Sequence, residues 1–331
     1  MLELTYFLIR EDVPGQRWRQ LFDAVWPGYR AWYLQDGDAA RPTLPAARDA
    51  LERFMPELMP AWSRLVELVG DDPTAARMLT LYNPPAFLPG CSQVAIPGPK
   101  PMLIRNYDYH PDLCERVIYS SCFTDRRVIG AGDCLWGLLD GMNDHGLAVS
   151  LTFAGQRGAG TGFGIPLVVR YLLETAGSVA DGVRVLGRVP VHMAYNLMLV
   201  DGGDAVTVLV QPGAPPEVFD LRAATNHRGT VPLDAAHATR FRSVERQQAL
   251  FDLLDQIDTA RDRADAIETF LRPPLYSTEF DRAFGTLYTA AYLPAAGVVD
   301  FVWPGSRWRL DFDSPGGTHQ AIYRDRIDAA P

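Results

Sequence analysis

The periodicity of this chain changes at Gly90–Cys91, and that change constrains its fold more than any other feature. Before it, apolar residues recur at spacings of three and four. Leu51, Phe54, Leu58, Trp62, Leu65 and Val69 mark one helical face between Pro45 and Gly70. Residues 15–89 read as mostly helical, with DDP at 71–73 restarting a short helix. The proline-rich YNPPAFLPG at 82–90 ends this region as an extended linker. After Gly90 the texture is strand-like. SQVAIPG and PMLIRNYDY flank a GPKP turn, RVIYSSCF and GLAVSLTF are further strands, and WGLLDGMNDHG is a turn-rich lead-in to the last of these.

Helices are expected at 165–177 and 179–190, and MAYNLMLV and AVTVLV flank DGGD as a hairpin. Two more helices cover 243–256 and 259–271, and LYTAAYL, VVDFVW and RWRLDF return the tail to strands. The order sheet, helices, sheet fits an α+β fold with helices packed on antiparallel sheets better than a doubly wound parallel one. No repeat at solenoid spacing is present.

Charge and composition remove several function classes. The net charge is -9 and no Lys/Arg block occurs, whereas nucleic-acid backbones are bound by clustered positive charge. The acidic balance also argues against an anionic membrane surface. Lys100 is the only lysine, and it stands in GPKP rather than in a phosphate-loop frame. The glycine-rich stretch GQRGAGTGFG at 155–164 lacks a dinucleotide fingerprint and reads as a flexible loop over a pocket. The cysteines at 91, 114, 122 and 134 form no C-x-x-C pair and have no zinc-like spacing. Neither a cofactor nor a metal is expected. MLELTYFLIREDVPG lacks the basic start and small-residue cleavage site of a signal peptide, and no apolar run reaches transmembrane length. A reducing cytoplasm, which suits a free thiol, is the expected location.

Gly90–Cys91 stands where the helical region ends and the sheet begins. Cleavage there would make Cys91 a new N-terminus. Gly90 presents no side chain against attack on its carbonyl. The product would carry nucleophile and base on one residue, because a free α-amine titrates near pH 8 and can take the thiol proton. On a strand, Arg105, Tyr107 and Tyr109 face one way and Asn106 and Asp108 the other. A bulge or the strand's end could bring Arg105 and Asp108 into the same site. A carboxylate there would orient an ammonium, and an arginine would meet an acyl or carboxylate group. Asn143 in DGMNDHG and Asn226 in AATNHRG are turn asparagines whose amides suit a developing oxyanion. His110, His145 and His227 are bases that an N-terminal amine would make redundant.

GC at 90–91, RNYD at 105–108, GMNDHGLAVS at 141–150, TNH at 225–227 and SVER at 243–246 occur in one order. Together they resemble the isopenicillin-N acyltransferases and related autoproteolytic C–N hydrolases and, more distantly, the penicillin V acylases and bile-salt hydrolases. The resemblance runs from about residue 80 to about residue 305. It implies the four-layer αββα fold of N-terminal-nucleophile hydrolases, with Cys91 as processing residue and acyl acceptor. It implies that Arg105 and Asp108 position amine and substrate, that Asn226 donates to the oxyanion, and that Asn143 helps line the site. Arg246 matches the family's network arginine, with Arg240 and Arg242 as rivals. Long helical leaders accompany the acyltransferase group. One departure is Gln93, where the acyltransferases carry threonine or serine; Ser92 is the near hydroxyl.

The expectation is therefore a leader of residues 1–90, cleaved and retained as a small subunit, and a catalytic domain of 91–331. The substrate is a small-molecule amide or acyl donor, with water or an amine as acceptor and Tyr107, Tyr109 and Trp136 lining the site. The other readings are a non-catalytic binding or structural relative, an acyl-coenzyme A-dependent N-acyltransferase, and a cysteine enzyme with His110 or His227 as base.

Overall fold

The computed structural model describes residues 2–70, 72–86, 90–257 and 260–323, leaving aside the side chains of 260–263. The expected leader, residues 1–90, starts with a strand, β1 (Leu2–Arg10), and continues through α1 (Gln16–Tyr33), α2 (Leu44–Phe54), α3 (Met59–Val69) and α4 (Pro73–Leu79). Thr43 caps α2, and Asp72 caps α4 by accepting from Thr74 N and Ala75 N. Within the linker 82–90, residues 87–89 lie outside the described residues.

The body begins with β2 (Gly90–Ile96), β3 (Met102–Tyr109), β4 (Val117–Ser121), β5 (Val128–Asp133), β6 (Gly137–Asn143) and β7 (Ala148–Phe153). Helices α5 (Ile165–Thr175) and α6 (Val179–Leu186) follow, then β8 (Tyr195–Val200), β9 (Ala205–Val210), β10 (Glu217–Phe219) and β11 (Ala223–Ala224). Helices α7 (Ala235–Arg240), α8 (Ser243–Gln256) and α9 (Ala260–Phe270) lead to β12 (Thr278–Glu279), β13 (Phe284–Leu293), β14 (Val298–Trp303), β15 (Ser306–Asp311) and β16 (Gly317–Tyr323).

These strands form two sheets. One has nine strands in the order β10-β9-β8-β7-β6-β5-β4-β1-β16, and the other has seven in the order β11-β2-β3-β13-β14-β15, with β12 on β13. They stack through β2, β3, β7 and β8, with α5 and α6 on the outer face of the first and α8 and α9 on that of the second. This is the αββα arrangement. Period-two alternation builds it: Cys91, Ala95, Leu103 and Tyr107 point between the sheets, while Val94, Ile96, Met102 and Ile104 point outward onto Leu250, Ile267 and Phe270.

Two differences from the sequence reading shape the core. WGLLDGMNDHG, expected as a turn-rich lead-in, contains the strand β6 in the middle of the larger sheet. Its glycine marks a close approach rather than a turn: a Cβ on Gly141 would stand 2.8 Å from a Leu173 methyl and 2.9 Å from Ile129 O. The leader is also more than helical. β1 pairs antiparallel with β16 and parallel with β4, so it is an interior strand of the larger sheet. Trp18, Tyr33, Leu51, Leu58 and Leu65 of the leader are buried in the same core as the body.

Candidate active site

Cys91 is the second residue of β2, and its side chain points between the sheets. Hairpin register pairs it with Tyr107 and pairs Gln93 with Arg105, making Arg105 its diagonal neighbour on the same face. Arg105 Nη2 lies 2.9 Å from Cys91 Sγ. The guanidinium is fully buried, lies over the Tyr107 ring and is paired through Nη1 with Asp140 of β6. Tyr288 donates to the same carboxylate at 2.7 Å, and Tyr292 donates to its other oxygen. This network spans both sheets and satisfies a charge pair that burial would otherwise penalise.

Asp108 lies on the opposite face of β3. The β2–β3 pairing contains no bulge, so Arg105 and Asp108 are not brought side by side. They act on Cys91 from two sides of one sheet. Outside, Asp108 accepts from Thr286 Oγ1 at 2.7 Å and from Arg246 Nη1 at 3.2 Å. Arg246 Nη1 also donates to Cys91 O at 2.8 Å and to Ser92 Oγ at 2.6 Å, and Nη2 donates to Asn226 Oδ1 at 2.7 Å. Asn226 stands just past β11, where its Oδ1 accepts the Cys91 N–H at 3.1 Å and its Nδ2 donates to Phe153 O at 3.4 Å. The carbonyl, nitrogen and sulfur of Cys91 are thus held by three different side chains.

Among the three arginines, Arg246 alone reaches Cys91. Arg240 is exposed and donates to Arg282 O, and Arg242 pairs with Glu279. Gln93 occupies the interior face, accepting from Ser150 Oγ at 2.6 Å and donating to Asn196 O at 3.3 Å, so it ties β2 to the larger sheet.

Burial pushes the Cys91 thiol above its ordinary range; Arg105 pulls it back and Asp108 adds to the rise. Burial likewise raises Asp108, against the pull of Arg246. The thiol of the intact chain is therefore held protonated beside a cation that stabilises it once ionised.

Asn143 turns away from this network. It sits three residues from Asp140, so its side chain leaves the opposite face of β6. Its amide donates to Leu173 O and Ala176 O, and its oxygen accepts from His145 N and Leu147 N. Every hydrogen-bonding group it has is spent on the end of α5 and the β6–β7 turn. The same motif supplies Asp140 instead, which sequence reasoning missed; the signal was its strand parity with the interior face. Trp136 is also placed elsewhere: it is fully buried and donates to Leu79 O of the leader. Tyr107 is buried beside Arg105, and Tyr109 lines a cavity of about 410 Å3 between α1 and the body. Cys91 does not line that cavity.

No histidine in question bonds to the thiol. His227 is held by Ser243 and Gln247, His110 caps a short turn, and His145 is in the β6–β7 turn beside Asp144. The glycine-rich loop clasps the leader's end: Gly162 N donates to Asn83 Oδ1, Asn83 N to Gly162 O and Gly164 N to Leu81 O. Among the described residues no helix is long and apolar enough to cross a membrane.

Residues 97–308, more than half of the chain, match the family model of acyl-coenzyme A:6-aminopenicillanic acid acyl-transferase. The match starts just after Cys91. No curated protein matches the sequence. Among solved structures, penicillin V acylase from Agrobacterium tumefaciens superposes with a TM-score of 0.51 at 16% identity, over 67% of this chain and 86% of that one. The Caenorhabditis elegans N-acylethanolamine-hydrolyzing acid amidase ortholog gives 0.47 at 15%, over 66% and 100%. A variant of the conjugated bile acid hydrolase from Clostridium perfringens gives 0.43 at 14%, over 73% and 99%.

Proposed function

The chain belongs to the acyl-coenzyme A:6-aminopenicillanic acid acyl-transferase family, and from that premise we propose that it cuts itself between Gly90 and Cys91 and then works through a Cys91 acyl-enzyme. Family and fold make it an amide hydrolase or acyltransferase of the N-terminal-nucleophile type. The observation that carries the finer reading is the triple hold on Cys91: Arg105 on Sγ, Arg246 on the carbonyl oxygen and Asn226 on the nitrogen.

In processing, Sγ attacks the Gly90 carbonyl carbon, the C–N bond to Cys91 breaks, and the Gly90 acyl group moves to sulfur. The Cys91 nitrogen gains a proton and becomes an amine; water then hydrolyses the thioester. Space supports glycine before the cut, since a Cβ on Gly90 would stand 3.2 Å from Asp108 O and 3.3 Å from a Phe284 ring carbon. Asn226 Oδ1 already accepts from the nitrogen that would become the α-amine.

In turnover, the α-amine takes the thiol proton, Arg105 stabilises the thiolate, and sulfur attacks the acyl carbon of a small-molecule amide or acyl donor. The amine returns the proton to the leaving group. Water or an amine then releases the acyl group. We assign the oxyanion role to Asn226 Nδ2, which donates to Phe153 O at 3.4 Å. We further propose that the cleaved leader stays bound as a small subunit, since β1 lies between β4 and β16.

Intact-mass spectrometry with a panel of amides and acyl thioesters tests the scheme. The expected result is an acyl adduct on the fragment 91–331 that disappears in Cys91→Ser. Turnover that survives this replacement overturns it.

A further inference from the structure

The cavity between α1 and the end of β3 has aromatic and apolar walls, including Tyr29, Trp32, Tyr109 and Leu113. Three carboxyls stand in its lining: Asp112 is exposed at the rim, whereas Glu115 and Asp133 are only 9% and 8% exposed. One oxygen of each buried carboxyl is engaged. Tyr29 Oη contacts Glu115 Oε1 and Asp133 Oδ1, Leu135 N donates to the former at 2.7 Å, and Cys134 N donates to the latter at 2.8 Å. Glu115 Oε2 is buried and has no hydrogen-bond partner among the described residues. No cation among the described residues acts on Glu115, and Arg105, which acts on Asp133, is committed to Cys91 and Asp140.

Buried carboxyls are ordinarily paired, because an unsatisfied one is costly. Burial, then Asp133, pushes Glu115 up to about 8, and burial pushes Asp133 up to about 6. A cation placed against Oε2 would reverse that shift, and the surrounding rings suit a positive charge on an alkyl stem. On the side of the thiol, the Tyr109 ring of the cavity wall packs 5.8 Å from that of Tyr107, over which the Arg105 guanidinium lies.

We propose that this cavity binds an alkylammonium group, so that the enzyme's substrate carries a protonated amine apart from its reacting nitrogen. This inference rests on the acyl-enzyme reading for the word substrate, but the binding itself does not.

Calorimetric titration with cadaverine and with pentanol, on the cleaved enzyme and on Cys91→Ser, separates the two. Cadaverine is expected to bind both proteins and pentanol neither. Glu115→Gln with Asp133→Asn should weaken cadaverine at least tenfold. Leu113→Lys, at a position 58% exposed on the rim, is a second variant that disturbs no buried group and supplies a competing ammonium; it should weaken cadaverine similarly. No cadaverine binding, or binding unchanged in both variants, overturns the proposal whatever the outcome at Cys91. Trapped acyl-enzyme chased with cadaverine or pentylamine assigns the ammonium. A faster chase with cadaverine, lost in Leu113→Lys, places it on the acceptor. Competitive inhibition of acylation without a faster chase places it on the donor.

Discussion

Arg105 Nη2 lies 2.9 Å from Cys91 Sγ, and the same guanidinium is anchored across the sandwich by Asp140. Because Arg105 lowers the thiol pKa against burial, its loss should move Cys91 alkylation by iodoacetamide to higher pH. Arg105→Leu would also strand Asp140, at about 3–5 kcal/mol for a broken buried pair. Arg105→Lys keeps the charge and isolates the effect of geometry. We expect turnover to fall at least a hundredfold in Arg105→Leu and to recover in part in Arg105→Lys. An unchanged alkylation profile in both variants would refute the role.

Asp108 and Asn143 should part company. Asp108→Asn is expected to lower turnover far more than stability, since it removes the charge that holds Arg246 against Cys91 O. Asn143→Ala should do the reverse. It leaves the carbonyls of Leu173 and Ala176 without their amide donor, at about 1–3 kcal/mol per orphaned group, while kcat of the folded fraction is unchanged. Paired unfolding curves and active-site-normalised rates check both.

Processing should depend on the size of residue 90. Gly90→Val is expected to slow cleavage more than Gly90→Ala, and Cys91→Ala should abolish it. A denaturing gel should resolve wild-type residues 1–90 from 91–331, the larger piece beginning Cys-Ser-Gln on Edman sequencing. An intact chain in active preparations would exclude self-cleavage.

Stability should fall as pH rises through the titration of Glu115 and Asp133. Both have folded pKa values raised by burial, to about 8 and about 6, so the folded protein holds protons that the unfolded chain releases. Their contribution is full below about pH 4 and is withdrawn as pH climbs to about 8, by roughly 1.4 kcal/mol per unit for each group while it is titrating. Asp133 faces Arg105, and both acids face Tyr29 and Cys134, none of which titrates to offset this in that range. The Tm of Glu115→Gln should decline less than that of the wild type between pH 5 and 8. Parallel profiles would contradict this.

The leader should co-purify with the body after cleavage. β1 and the buried Trp18, Tyr33 and Leu51 make it part of the core. Native mass spectrometry should find both pieces together, and 91–331 expressed alone should fail to fold cooperatively.

Legibility in the sequence followed the kind of pattern each element carries. Helices α5 and α8 and strands β3, β13 and β14 were readable because each presents its own apolar period. β1 and β16 were not, because their pairing joins the two ends of the chain and leaves no local turn signal. At the site, Cys91, Arg105, Asp108, Asn226 and Arg246 stood in ordered motifs, and the structure draws them together. Asn143 was grouped with them because neighbouring positions in one motif look equivalent until strand parity separates Asp140 from it. The tyrosines on Asp140 were hidden for another reason: Tyr288 and Tyr292 lie on β13, far along the chain, within a run that reads only as a strand.

The position of β1 between β4 and β16 bears on time as well as shape. In a single uncut chain, β1 reaches its slot as part of the same molecule, and reassembly after unfolding is independent of concentration. In a chain cut at Gly90–Cys91, the same slot would have to be found by a separate molecule, so dilution would work against recovery. Self-cleavage at Gly90–Cys91 would make the native state one that is reached once: its later persistence would rest on how slowly the sheet opens rather than on how readily it can form again.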